Sequence, residues 1–222
     1  MTFAETFLNG RILAIALPRV AEGFVVTVAL AALVVLAGLA AGLGLAVVRV
    51  FRVRLLNFLI VLAVDLFRAL PPLVIIVLIF FGLPGIGLSL SGFATTWLSL
   101  TLVLMAFAEE IFWAGILAVP AGQWDAARAM GLRFLPTLLL VVLPQAVRIT
   151  IPPLTNRTIA IIKGTALGSV VGMYEILASA QSVVNDHYNP SPLLLGSAAY
   201  LVLFIPVVAF GRWVETRFAW RR

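Results

Sequence analysis

Long charge-free runs alternate with short polar segments along this chain, and the runs have the length of membrane crossings. Residues 23 to 48 hold no charged side chain. A spanning helix needs roughly 20 residues to cross about 30 Å of hydrocarbon, so this run predicts a first span. Arg49, Arg52 and Arg54 stop it. A second predicted span, 55 to 81, is interrupted by Pro71-Pro72, where two backbone donors vanish and the helix must kink or break. The turn GLPGIGLSLSG leads to a third span, 94 to 117. A fourth, 146 to 177, is broken early by Pro152-Pro153, and its front part is expected to run along the inner surface before turning inward. The polar stretch SAQSVVNDHYNPSP predicts a turn, and a fifth span covers 193 to 211. Ahead of them all, residues 1 to 22 mix Glu5, Arg11, Arg19 and Glu22 with an apolar run broken by Pro18, which reads as an amphipathic lead-in lying on the membrane. No basic segment leads into a cleavable signal there. Small residues at 37, 38, 40, 41, 42 and 44 are expected to permit close helix approach. The fold class is therefore all-α, a polytopic membrane protein of five transmembrane helices in one domain, 1–222.

Composition excludes a soluble globule. The chain is 63% hydrophobic and 11% charged, with mean hydropathy +1.17, too little polar surface to coat a water-soluble fold. A net charge of +6 would suggest nucleic acid in a soluble protein. Here the cations mark loops facing the cytoplasm, and no nucleic-acid partner is expected. Arg49, Arg52, Arg54, Arg128, Arg133, Arg148, Arg212, Arg217, Arg221 and Arg222 fall on one side of the five spans, against Arg11 and Arg19 on the other. That asymmetry predicts an N-terminus outside and a C-terminus in the cytoplasm. Trp97, Trp213 and Trp220 read as interfacial belt residues facing membrane lipid. No cysteine is present, so disulfides and thiolate metal sites are excluded. His187 stands alone in a polar turn, and no metal site is expected.

The loop between the third and fourth spans, 119–145, is the least membrane-like stretch. Its segment Gln123 to Pro144, QWDAARAMGLRFLPTLLLVVLP, carries Asp125, Arg128 and Arg133 among the helix formers Ala126, Ala127 and Ala129. It predicts a short helix outside the membrane, with Asp125 near its front, suited to the positive end of the dipole. Gly131 lets the backbone turn or lets a partner surface approach closely. The pattern is Asp-Ala-Ala, three residues, Gly131, nine residues, Val141, one residue, Leu143-Pro144. It resembles the EAA loop of bacterial ABC-importer permeases, with Asp125 where that family usually has Glu. FRALPPLVIIVLIFFGLP (Phe67 to Pro84), PQAVRITIPPLTN (Pro144 to Asn156) and KGTALGSVVGMYEIL (Lys163 to Leu177) resemble the polar amino-acid subfamily, the histidine, glutamine and arginine type. The resemblance covers most of residues 20 to 215.

The resemblance implies a permease subunit in a bacterial inner membrane, moving a polar amino acid from periplasm to cytoplasm. Its implied partners are an ABC ATPase subunit dimer, a second permease subunit that is a copy or a paralogue, and a periplasmic amino-acid-binding protein. ATP and Mg would sit on the ATPase, and this chain would bind no cofactor. Asp125, Ala126, Ala127, Gly131, Leu132 and Arg133 would form the cytoplasmic coupling helix that rests on the ATPase.

Charges left inside the predicted spans are the second candidate site. Arg68, Arg157 and Lys163 remain there, with Asp65, Glu109, Glu110 and Glu175. At about 1.5 Å of rise per residue, Asp65 and Arg68 lie roughly 15 to 20 Å from the cytoplasmic end, Glu110 about 12 Å and Lys163 about 20 Å. A charge at the bilayer centre costs at least about 2.5 kcal/mol unless it is paired or faces water. Asp65 and Arg68 are three apart and share a helix face. They form either a structural ion pair or part of a solute path, with Arg68 facing a carboxylate and Glu110 or Asp65 an ammonium. Lys163 and Thr165 are further path candidates, although similar permeases usually show Lys-Asp-Thr-Ser-Leu where this chain has Lys163-Gly164-Thr165-Ala166-Leu167, and small residues at 164, 166 and 168 also suit helix packing. Trp113 stands where many relatives carry a basic residue, and Glu109 adds an acid beside the usual Glu110.

Enzyme chemistry finds no purchase in this sequence. There is no GxxxxGK[ST] phosphate loop, no Cys-His or Ser-His-Asp set, and no catalytic residue to name. An ion-coupled secondary carrier or channel is the alternative transporter reading. It would need inverted repeats or a complete pathway within one chain, and the hydropathy has no repeat. A purely structural scaffold would have little use for charges at mid-depth.

Overall fold

The computed structural model describes residues 6–218 and is helical wherever it is regular among them. Trp220, Arg221 and Arg222 of the expected arginine-rich tail, and Glu5 of the lead-in, lie outside the described residues. Four helices are long and apolar enough to cross a membrane, five when one bent pair counts as a single span.

Helix α1 runs Gly10–Val50 without interruption, with the Asn9 side chain accepting from the Ile12 amide at its start. The predicted lead-in is thus not a separate element but the first turns of the first span. Pro18 sits inside it and is exposed, as is Ala14, so the carbonyl that loses its helical donor does not lie in the packed core. At 41 residues and about 1.5 Å each, α1 far exceeds a bilayer's hydrocarbon thickness.

Helices α2, Arg54–Ala69, and α3, Pro72–Gly82, form the bent pair. The break falls at Leu70-Pro71, and the axes turn by 104° there. This is the interruption that Pro71-Pro72 predicts, in its stronger form. A 3-10 turn, Leu83–Ile86, ends the pair.

Helix α4, Gly92–Ala118, is the most buried span and forms the spine of the bundle. It packs most extensively on α1, and the small residues explain how: a Cβ at Gly42 would lie 2.6 Å from the Ala108 Cβ and 2.8 Å from the Met105 carbonyl oxygen. Only glycine permits that backbone approach. Around the contact, Ala46, Ala108, Phe112, Ile116, Leu138, Val142 and Ala146 make one core cluster, and Leu30, Val34, Leu100, Val103 and Leu104 the heart of another. Trp97 is half-buried and packs against the second cluster, whereas Trp213 is 57% exposed.

Helix α5, Ala121–Ala129, follows, then a short turn Phe134–Pro136 and a π-wound segment Thr137–Val142. Helix α6, Leu143–Lys163, carries Pro152 and Pro153 inside it without ending. A 3-10 stretch, Gly164–Val171, and helix α7, Ile176–His187, complete this arm. The polar segment expected to be a turn is therefore mostly α7, and His187 is its exposed last residue. Two features make it helical. Glu175 caps its N-terminus, accepting from the Leu177 and Ala178 amides at 2.9 and 2.8 Å. Ile176, Ala180 and Val183 then bury one face against α1. Helix α8, Ser191–Phe218, closes the bundle, and its Tyr200 hydroxyl donates to the Glu175 carboxylate.

Leu36, Leu55, Leu140, Leu201 and Ile205 point outward. An apolar exterior over a core rich in small residues is the inverse of a soluble fold and suits hydrocarbon as solvent.

Candidate functional site: a surface helix and a charged cavity

The α5 region is built as a helix closed at both ends and stuck to the bundle by one side. Val119 and Pro120 are extended, and Pro120 leads into the helix without needing a donor. At the other end Gly131 adopts φ +86°. Its amide donates to the Arg128 carbonyl at 2.9 Å, and the Leu132 amide reaches back to the Ala127 carbonyl at 3.2 Å. These two bonds constitute a Schellman closure, which needs a left-handed residue at the Gly131 position. Of the two roles the sequence left open for Gly131, its own backbone demands the turn.

The inner side of α5 is apolar. Ala127 is buried, Trp124 stacks on Phe134 with centroids 5.8 Å apart, and Phe134 meets Phe51 edge-on at 5.7 Å. Gln145 donates to the Gln123 side chain at 3.2 Å and ties α5 to α6. The outer side is open: Asp125, Ala126, Arg128, Gly131 and Arg133 are exposed, and Met130 is 84% exposed. Leu132 is half-buried. Asp125 lies beyond the first turn, which holds no acid, so it does not serve the N-terminal dipole as the sequence suggested. It faces outward and, with Arg52, Trp113 and Arg128, lines a cavity of about 730 Å³ between α5 and the ends of α1 and α4.

The second site is a charge network between α1, α2 and α4. Glu109 and Glu110 are consecutive on a helix, so their side chains leave it about 100° apart. Glu109 points into the bundle and is completely buried; one guanidinium nitrogen of Arg49 donates to both its oxygens, at 3.0 and 3.2 Å. Arg49 lies over the Trp113 ring, 4.6 Å from its centroid, and passes 3.9 Å from Glu110. Glu110 turns the other way and pairs with Arg68 at 3.3 Å; Arg68 also meets Asp65 at 3.7 Å. Asp65 is 64% exposed and Glu110 42%. Charges so open within a span need water or protein in front of them, not hydrocarbon.

A cavity of about 530 Å³ lies against this network, lined by Arg68, Phe107, Glu110, Ile111, Pro153, Asn156, Arg157 and Ala160. Both arginines use the Phe107 ring: Arg157 stands 3.3 Å from its centroid and Arg68 5.5 Å. Of the path candidates, Arg68 and Glu110 line this cavity and Asp65 braces Arg68. Lys163 is exposed at the end of α6 with no carboxylate within 4.0 Å among the described residues. Thr165 is buried, and its hydroxyl donates to the Ile162 carbonyl at 2.8 Å. Neither lines the cavity. Sequence reasoning missed the role of Arg49, which it read as a stop after the first span and as one of the cations on the loop side. The acid doublet at 109 and 110 was the available signal, since two carboxylates in a span require cations from other helices.

Residues 34–220 match the family described as binding-protein-dependent transport system inner membrane component. The chain belongs to this family. It is an ABC-importer permease, a multi-pass protein of the inner membrane, from a family in which an EAA loop and coupling helix are typical. Among its relatives, the probable glutamine ABC transporter permease protein GlnM of Bacillus subtilis (strain 168) is 36% identical over 203 residues, covering 88% of this chain and 91% of that one. The L-cystine transport system permease protein TcyB of the same organism is 36% identical over 188 residues, covering 85% of this chain and 80% of the relative. A chain from the crystal structure of an amino acid ABC transporter with histidines superposes with TM-score 0.81 at 28% identity, over 90% of this permease and 94% of that chain. The methionine ABC transporter MetNI, at TM-score 0.69 and 21% identity, shares the fold.

Proposed function

We propose that this permease carries a polar amino acid from periplasm to cytoplasm, its N-terminus outside, driven by ATP hydrolysed on a separate ATPase dimer that grips the outer side of α5. The observation that carries the reading is the charged cavity. Arg68 and Arg157 offer donors for a carboxylate and Glu110 an acceptor for an ammonium, within one space between α2, α4 and α6. Exposed charge at Asp65 and Glu110 calls for a protein wall, and a second permease, copy or paralogue, supplies it. A periplasmic binding protein delivers the solute, and ATP and Mg stay on the partner chain.

The outer side of α5 supports the coupling role. Asp125, Ala126 and Arg133 lie exposed around a closed helix, while Ala127 is buried and Trp124 packs against the core cluster of the spans. Movement of an ATPase surface resting there would pass to α1, α4 and α6 as rigid-body rocking. Lys163 and Thr165, outside the cavity, take no direct part in holding the solute.

The test is reconstitution. Permease, ATPase and binding protein together in liposomes should take up an amino acid in an ATP-dependent manner. Uptake by the permease without an ATPase would reject the reading.

A further inference from the structure

We infer that Arg157 sets the charge class of the solute, so that the cavity takes an amino acid with a neutral or acidic side chain and rejects a cationic one. This rests on the cavity being the solute site proposed above.

The cavity wall holds three charged groups, Arg68, Arg157 and Glu110. Glu110 already serves Arg68 at 3.3 Å and stands 3.9 Å from Arg49. Arg68 also has Asp65. Arg157 differs from both: among the described residues no carboxylate lies within 4.0 Å of it. It is placed instead by the face of Phe107, 3.3 Å from its guanidinium carbon. Stacking on a ring fixes a guanidinium plane while leaving its N–H edge free, and that edge fits a carboxylate in a bidentate manner.

Two cations and one anion therefore face the same space. The carboxylate of a zwitterion completes Arg157, and its ammonium takes Glu110. An acidic side chain finds Arg68 as a second partner. A cationic side chain finds no acid of its own, because the one wall carboxylate must also serve the α-ammonium. It faces instead the Arg157 guanidinium, a like charge with no carboxylate within 4.0 Å among the described residues and poorly screened inside a span.

The experiment uses the assembled permease and ATPase complex in lipid nanodiscs without binding protein, so that the binding protein's preference does not enter. Equilibrium binding of radiolabelled L-glutamine, L-glutamate and L-arginine is measured. In the native complex L-glutamine or L-glutamate should bind at least about tenfold more tightly than L-arginine, the difference one unpaired charge contact readily makes. Arg157→Gln should weaken that binding by about tenfold or more, Arg157→Lys by less, and Arg157→Glu should turn the preference toward L-arginine. If Arg157→Glu does not assemble, the ranking of the native, Lys and Gln forms decides. A native complex that prefers L-arginine or binds none of the three, or an Arg157→Gln complex with unchanged affinities, overturns the inference. Stimulation of ATP hydrolysis by loaded binding protein separates the two levels: where it persists while the preference fails, the importer reading stands and the role of Arg157 falls.

Discussion

Arg49 and Glu109 join the end of one span to the middle of another: a single guanidinium nitrogen lies 3.0 and 3.2 Å from the two carboxylate oxygens, and the Glu109 side chain has no exposed surface. The Trp113 ring lies 4.6 Å from the arginine's guanidinium carbon, while Glu110, next along the helix, lines the charged cavity. The pair thus sits between the two candidate sites. Removing Arg49 alone leaves a buried carboxylate without its cation, a loss of about 3 to 5 kcal/mol. Arg49→Met should lower the thermal midpoint of the purified complex markedly, and the double variant Arg49→Met, Glu109→Gln should recover most of it. An Arg49→Met variant as stable as the native complex, or a double variant no more stable than the single one, would show that the unpaired Glu109 carboxylate is not what costs stability.

Gly131 is required by its backbone, at φ +86°. A Cβ there would meet nothing within 4 Å in this chain, so the cost of Gly131→Ala is conformational, roughly 1 to 2 kcal/mol confined to the end of α5. The expected consequence is a frayed α5 and a permease that stays inserted but retains less ATPase on purification. Gly131→Asp should do the same with a charge added at the contact, and Gly131→Asn, which tolerates the left-handed region, should do least. Equal retention across the series would remove α5 from the coupling role.

The glycines of α1 separate close approach from mere smallness. At Gly42 an added Cβ would lie 2.6 Å from the Ala108 Cβ, whereas at Gly44 nothing lies within 4 Å. Gly42→Ala should destabilise by about 1 to 3 kcal/mol as α1 and α4 are forced apart. Gly44→Ala should be neutral or stabilise by up to about 1 kcal/mol through helix propensity. Melting curves of the two variants in one detergent give the comparison.

Most of the architecture could be read from the chain because bilayer crossing is a matter of run length. The apolar runs marked the spans, and Pro71-Pro72 marked the bend. Two elements escaped. Pro18 suggested a boundary, yet α1 continues through it with its face there exposed. The segment around Ser179 to His187 looked too polar for structure, but Ile176, Ala180 and Val183 recur at helical spacing and Glu175 caps the turn. The charge network was half legible: Asp65 and Arg68 announced each other by spacing, while Arg49 and Glu109 are 60 residues apart and meet only through the packing of α1 on α4.

Arg68 holds Glu110 and Asp65 together at the cavity wall. Neutralising it with Arg68→Gln should cut ATP-dependent uptake in proteoliposomes by about tenfold or more, the effect of one lost charge-assisted contact. The ATPase should remain bound, since the partners of Arg68, namely Asp65, Glu110 and Phe107, lie on α2 and α4 and not on α5. Full uptake by that variant would make the cluster structural only.

The native chain contains no cysteine, so a single one at Ala126 reports on the outer side of α5 without background. The decisive measurement attaches a maleimide-linked photocrosslinker to Ala126→Cys and illuminates the assembled complex, with Leu140→Cys, 70% exposed on the π-wound segment, as the control. The expected result is an adduct between Ala126→Cys and the ATPase subunit and none from Leu140→Cys. An ATPase that never crosslinks to Ala126→Cys, while the same site stays open to a water-soluble maleimide in the full complex, would contradict coupling through this helix.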